Sequence, residues 1–221
     1  MEDLRLHQLP HSPFCLPISQ ALTALEIPFE AVNVSNGNRA AIISLTEGKG
    51  YEVPVLEHRG RIICETSADS QEVARYVDRT FAGGRLFPER WEGWQSLLIP
   101  YLESEVEGVT FRLTDIHYVP SLSDTVERVM VVRHKERRFG RGCLEEWRRN
   151  QESLFATATA RLRPLDRLLE HTPFLVGDQP VYSDFLLHGI LSNLTWQSFN
   201  PMPNLPRLVD WYSRLGQFRY G

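Results

Sequence analysis

The chain has 221 residues, 42% of them hydrophobic and 24% charged, with a formal net charge of −4. That length holds one large domain or two small ones around a real apolar core, and the composition excludes a disordered chain. The small, interspersed charge excludes a nucleic-acid binder, and no apolar run reaches the ~18 residues of a membrane span.

The first residues, Met1-Glu2-Asp3-Leu4-Arg5, carry no apolar signal core. Three widely spaced cysteines, Cys15, Cys64 and Cys143, fit neither a disulfide framework nor a zinc site, so a reducing cytoplasm is expected. Leu4–Leu9 reads as a strand, Pro13–Leu25 as a helix and Phe29–Val34 as a second strand, which makes a βαβ unit if the strands are parallel. Asn38–Leu45 reads as a short helix. Val53–Leu56 and Arg61–Cys64 are apolar runs joined by Glu57-His58-Arg59-Gly60, a hairpin with glycine at the turn, so the sheet is mixed. A helix follows from Asp69, ended by Gly83-Gly84. Beyond about Trp91 the apolar residues recur at helical steps, predicting about five or six further helices. The basic run Arg133-His134-Lys135 is interrupted by Glu136 and reads as a solvated helix face. The scattered histidines show no pair at ligand spacing on an expected helix, so no metal is expected.

Ser12-Pro13-Phe14-Cys15 lies between the first strand and the first helix, where unpaired N–H groups favour a neighbouring anion. It has the spacing of a Cys-x-x-Cys motif whose first sulfur is replaced by oxygen. Ser12 can donate to a thiolate held there, or it can simply be the N-cap. Cys15 can face the same pocket and exchange disulfides, or it can be a small buried hydrophobe. Pro17 falls inside the expected helix, where it removes one hydrogen bond and kinks the turn carrying Ser12.

The order β-α-β-α-β-β-α followed by helices, with Ser-Pro-Phe-Cys at the first turn, resembles the cytosolic glutathione S-transferases. Val53-Pro54-Val55-Leu56, Asp69-Ser70 ahead of Tyr76, Phe174–Asp178 and Ser183-Asp184-Phe185 resemble that family's further landmarks in order. Lys135–Gly140 resembles the bacterial β-etherase-like and fungal Ser-type branches. The resemblance implies an α/β thioredoxin-like domain over 1–81, a linker over 82–90 and an all-helical bundle over 91–221. It also implies a homodimer with glutathione as co-substrate.

On that resemblance Ser12, with Cys15 as the alternative, stabilises the glutathione thiolate, and Phe14 lines the same site. Pro54 is a cis proline whose neighbour Val53 pairs with the cysteinyl backbone. Asp69 and Ser70 hold the γ-glutamyl end, with Glu65 and Ser67 as a shifted alternative. Arg39 reaches the glycyl carboxylate or lies on an exposed helix face. His11, Phe111, His117, Tyr118 and Trp196 line an interdomain pocket for a hydrophobic electrophile. Val181 stands where a capping Ser or Thr would, so only half of a capping box with Asp184 is expected. The expected activity is a glutathione transferase. The alternatives are a glutathione-dependent lyase or etherase, a thiol–disulfide exchange enzyme, and a non-catalytic glutathione-binding module.

Overall fold

The computed structural model describes residues 3–65 and 71–221. Alternating apolar and polar residues make β1 (Leu4–Gln8), with Leu4 and Leu6 buried on one face. Helix α1 (Cys15–Ala24) crosses to β2 (Glu30–Asn33), which pairs parallel with β1 at Leu6↔Ala31 and completes the expected βαβ unit. After α2 (Ala40–Leu45), β3 (Val55–His58) pairs antiparallel with β1 and with β4 (Arg61–Cys64). The order β2-β1-β3-β4 is the mixed, thioredoxin-like sheet. The third strand is shifted from the expected 53–56 to 55–58. Pro54 has no N–H for the ladder, so pairing starts after it and the turn narrows to Arg59-Gly60, both at positive φ (51° and 76°).

Helix α3 (Glu72–Val77) runs into a π-turn, Asp78–Ala82, closed by Gly83 in the left-handed region. The segment beyond it is threaded through the interior. Leu86 is buried; its N–H donates to Asp78 Oδ1 (2.8 Å), and its carbonyl accepts Tyr182 N–H (2.9 Å) and Gln95 Nε2–H (3.0 Å).

The second half is helical: α4 (Glu89–Tyr101), a π-segment (Leu102–Val106), α5 (Glu107–Ser121), α6 (Thr125–Phe139), α7 (Cys143–Arg149), α8 (Gln151–Leu168), α9 (Tyr182–Leu194) and α10 (Pro206–Gly216). Among the described residues this half holds seven α-helices, against the five or six expected. Pro100 precedes the π-segment that divides one rod into α4 and α5, and Asn150, at φ −100° and ψ 16°, parts α7 from α8.

Helix α9 is the axis of the core, buried along nearly its whole length. The half capping box is present at its start. Asp184 Oδ2 accepts Val181 N–H (3.0 Å), while Val181 offers no side-chain acceptor and the Asp184 N–H donates to the Val181 carbonyl (2.9 Å). Asp184 Oδ1 also accepts Leu175 N–H (2.9 Å) and Trp211 Nε1–H (3.0 Å). Burial pushes the Asp184 carboxyl up to about 6 against these donors. No helix among the described residues is long and apolar enough to cross a membrane.

Candidate active site

Ser12 sits in the turn between β1 and α1. Its Oγ accepts the N–H groups of Phe14 (3.2 Å) and Cys15 (3.3 Å), and its carbonyl accepts those of Cys15 (3.2 Å) and Leu16 (3.0 Å). Ser12 therefore ties down the N–H groups at the start of the helix, and its side chain also hydrogen-bonds Cys15, which lowers that thiol against its burial. Its side chain is nearly buried, with 7% exposure.

Pro17 does not kink this turn. Because α1 begins at Cys15, Pro17 is its third residue, in the first turn where an N–H needs no intrahelical partner, and the helix runs unbroken to Ala24. Pro17 instead packs on α9, where a Cβ at Gly189 would stand 2.5 Å from Pro17 Cδ. Two residues of α9 thus set the turn from below: Gly189 by its missing side chain, and Asn193 by donating Nδ2–H to the His11 carbonyl at 2.6 Å.

Cys15 is fully buried, and burial raises its thiol to about 11, so at neutral pH it is a protonated thiol without solvent access. His11, next to Ser12 in sequence, is buried, its ring 4.0 Å from that of Tyr118 and 6.1 Å from that of Trp196. Burial, followed by the charges of Lys135 and Arg39, lowers the His11 imidazole to about 4. It is neutral at pH 7 and packs as a ring against Tyr118. Phe111 and His117 do not join this group. Phe111 packs in the α5–α7 cluster against Phe139 and Trp147 (5.2 and 5.5 Å), and His117 stacks on Phe199 (5.7 Å) and accepts from Gln151 Nε2 (3.2 Å). Successive residues of α5 point about 100° apart, so Tyr118 faces His11 while His117 faces α8.

Around the turn, Phe14 packs half-buried against the core, and the Val53–Pro54 peptide leading into β3 is cis. Arg39, at the start of α2, is half-buried rather than exposed. Its Nη2 donates to Asn36 Oδ1 (3.1 Å), and its Nη1 is buried without a hydrogen-bond partner. The expected γ-glutamyl ligands Asp69 and Ser70, like Ser67, lie outside the described residues. Glu65 is described: its carboxylate accepts the N–H groups of Glu72 (2.9 Å) and Val73 (3.4 Å) at the start of α3.

Sequence spacing gave no signal for two further residues. Glu127 of α6 reaches across 91 positions to the N–H of Asn36, and Asn36 also touches Tyr118 and Arg39.

Residues 6–85 match the family described as "Glutathione S-transferase, N-terminal domain". A probable glutathione S-transferase of Solanum tuberosum is 27% identical over 89 residues, 40% of this chain and 39% of the relative. A probable glutathione S-transferase of Oryza sativa subsp. japonica is 28% identical over 82 residues, 37% of this chain and 33% of that protein. The chain thus matches well under half the length of these curated relatives. Over its whole length it has the fold of glutathione transferase GSTFuA3 from Phanerochaete chrysosporium: TM-score 0.80, 15% identity, 100% of this chain and 99% of the other. It also has that of CsGST63524 of Ceriporiopsis subvermispora, solved in complex with glutathione: TM-score 0.80, 15% identity, 99% and 98% covered.

Proposed function

With a glutathione S-transferase N-terminal domain set in the two-domain fold of the glutathione transferases as the premise, we propose that this protein binds glutathione and turns its sulfur on an electrophile. The observation that carries this is the Ser12 turn. Its Oγ is fixed by two N–H groups at the start of α1, and its one proton can turn from Cys15 to a sulfur bound beside it. A glutathione sulfur seated there receives that hydrogen bond and the positive end of the helix dipole, both of which favour thiolate over thiol. The thiol proton leaves to solvent. The thiolate then forms a bond to an electrophilic carbon, and the leaving group departs with the bonding pair.

On this reading Arg39, whose Nη1 has no hydrogen-bond partner, takes the glycyl carboxylate, and Val53, just ahead of β3, pairs with the cysteinyl backbone. Asp69 and Ser70 take the γ-glutamyl end. The electrophile enters between the domains over His11, Tyr118 and Trp196, a ring-lined wall that suits a hydrophobic molecule. The same reading places the protein in the cytoplasm as a homodimer, for which the exposed Trp94 and Leu97 on α4 offer apolar surface. Burial of Cys15 speaks against thiol–disulfide exchange, and the unbroken α1 removes the motive for a non-catalytic module.

The test is Ser12→Ala. The variant is expected to bind glutathione while the bound thiol, followed by its ultraviolet thiolate absorbance against pH, rises by about one pH unit or more. An unchanged titration and unchanged conjugation rate would remove Ser12 from the mechanism.

A further inference from the structure

The loop between β2 and α2 is fastened to the helical domain through one oxygen atom. Glu127 Oε1 on α6 accepts Asn36 N–H at 2.7 Å, Ser35 Oγ–H at 2.8 Å and Gly37 N–H at 3.2 Å. Loop and helix backbones stand close here, since a Cβ at Gly37 would lie 2.9 Å from Glu127 Cα. The carboxylate is not needed by its own helix: Asp124 Oδ1 caps α6 by accepting the N–H groups of Val126 (2.7 Å) and Glu127 (3.1 Å). Three donors converging on one ionised oxygen make a fixed joint rather than a loose surface contact.

Asn36 passes that fixation on. Its N–H is held by Glu127, its Nδ2 donates to Tyr118 OH (3.4 Å), and its Oδ1 accepts Arg39 Nη2–H (3.1 Å). With Nη2 committed, the planar guanidinium has a set orientation, and the buried Nη1 has no partner of its own. A buried cationic donor left unsatisfied is costly unless a ligand completes it.

We infer that Glu127 is a positioning residue for the glycyl carboxylate of glutathione: it holds the Ser35–Gly37 loop so that Asn36 orients Arg39, leaving Nη1 to bond the carboxylate. This rests on the reading of Arg39 given above. The helical domain thereby takes part in binding the tripeptide through a residue that never touches it.

The test is calorimetry on the full chain with two ligands, glutathione and its glycyl carboxamide, which lacks the carboxylate charge. Glu127→Ala is expected to weaken glutathione about tenfold, the loss of one charge-assisted bond, and to leave carboxamide affinity as in the wild type. Glu127→Gln, which keeps an acceptor oxygen, restores most of the loss. Gly37→Ala, which pushes the loop off α6, reproduces it. In turnover the KM for glutathione rises while kcat at saturation holds. Glu127→Ala binding both ligands as the wild type does, or losing both equally, overturns the proposal. If Arg39→Ala leaves glutathione affinity untouched, the Arg39 reading fails and takes the proposal with it. If Arg39→Ala weakens glutathione selectively and Glu127→Ala does not, the Arg39 reading stands and the proposal alone fails.

Discussion

A methyl group added at Gly189 would fall 2.5 Å from Pro17 Cδ, 2.6 Å from Pro17 Cγ and 3.1 Å from the Pro13 carbonyl oxygen, atoms with no flexible end to yield. Gly189→Ala is therefore expected to cost about 2 kcal/mol by overpacking and to displace the turn that carries Ser12. The measurement is a denaturant midpoint together with glutathione affinity. Unchanged values in both would show that α9 does not set that turn. Ser12 and Cys15 were legible in the sequence as a pair, because a helix start announces itself through Ser-Pro. What each does there was not legible, since the burial that raises the Cys15 thiol comes from packing remote in the chain. Tyr118 and His117 show the same limit: adjacent letters with equal aromatic character face different partners, and only the phase of α5 decides between them.

At the scale of elements, the start of α9 is held by one carboxylate. Asp184→Ala leaves Leu175 N–H, Val181 N–H and Trp211 Nε1–H without an acceptor in the interior, a loss expected to reach about 3 kcal/mol or more. Val181→Thr completes the other half of the box by offering a hydroxyl to the Asp184 N–H. A gain of up to about 1 kcal/mol, or about 2–4 °C in Tm, is expected, and a thermal melt lower than wild type would show that the buried site cannot accept the hydroxyl. The half box was readable because it is local, spanning Val181 to Asp184. The division of α4 from α5 was not, since the π-segment after Pro100 preserves apolar residues at helical steps and changes only the hydrogen-bond register.

At the scale of the whole molecule, four perturbed groups oppose one another in their effect on stability with pH. His11 and His188 are lowered from 6.5 to about 4, so on acidification the unfolded chain takes up their protons first and the fold loses stability between about 6.5 and 4. Glu107 and Asp184 are raised to about 7 and about 6, so the folded chain takes up theirs first and gains stability as pH falls toward about 4. Asp78, Glu103 and Asp115 are raised and His117 and His134 lowered as well, so contributions of both signs overlap and one group is read by difference from the wild type. His188→Gln removes one acid-labile group. Its stability, compared with the wild type's at each pH by chemical denaturation, should improve from pH 6.5 to 4.5, on top of a constant loss from the missing Tyr212 stacking. A difference from the wild type that stays constant over that range would show that His188 does not titrate as described.

The bond from Asn193 Nδ2 to the His11 carbonyl joins residues 182 positions apart, and Tyr220 N–H closes on the Ala24 carbonyl at 2.8 Å. The groups that shape the Ser12 turn are thus made long after the turn itself. A nascent chain that stops short of α9 would display the Ser-Pro-Phe-Cys sequence without the fixed hydroxyl and without its cysteine protected. The turn therefore takes its form only after α9 has been made and packed, and until then Cys15 is an ordinary accessible thiol.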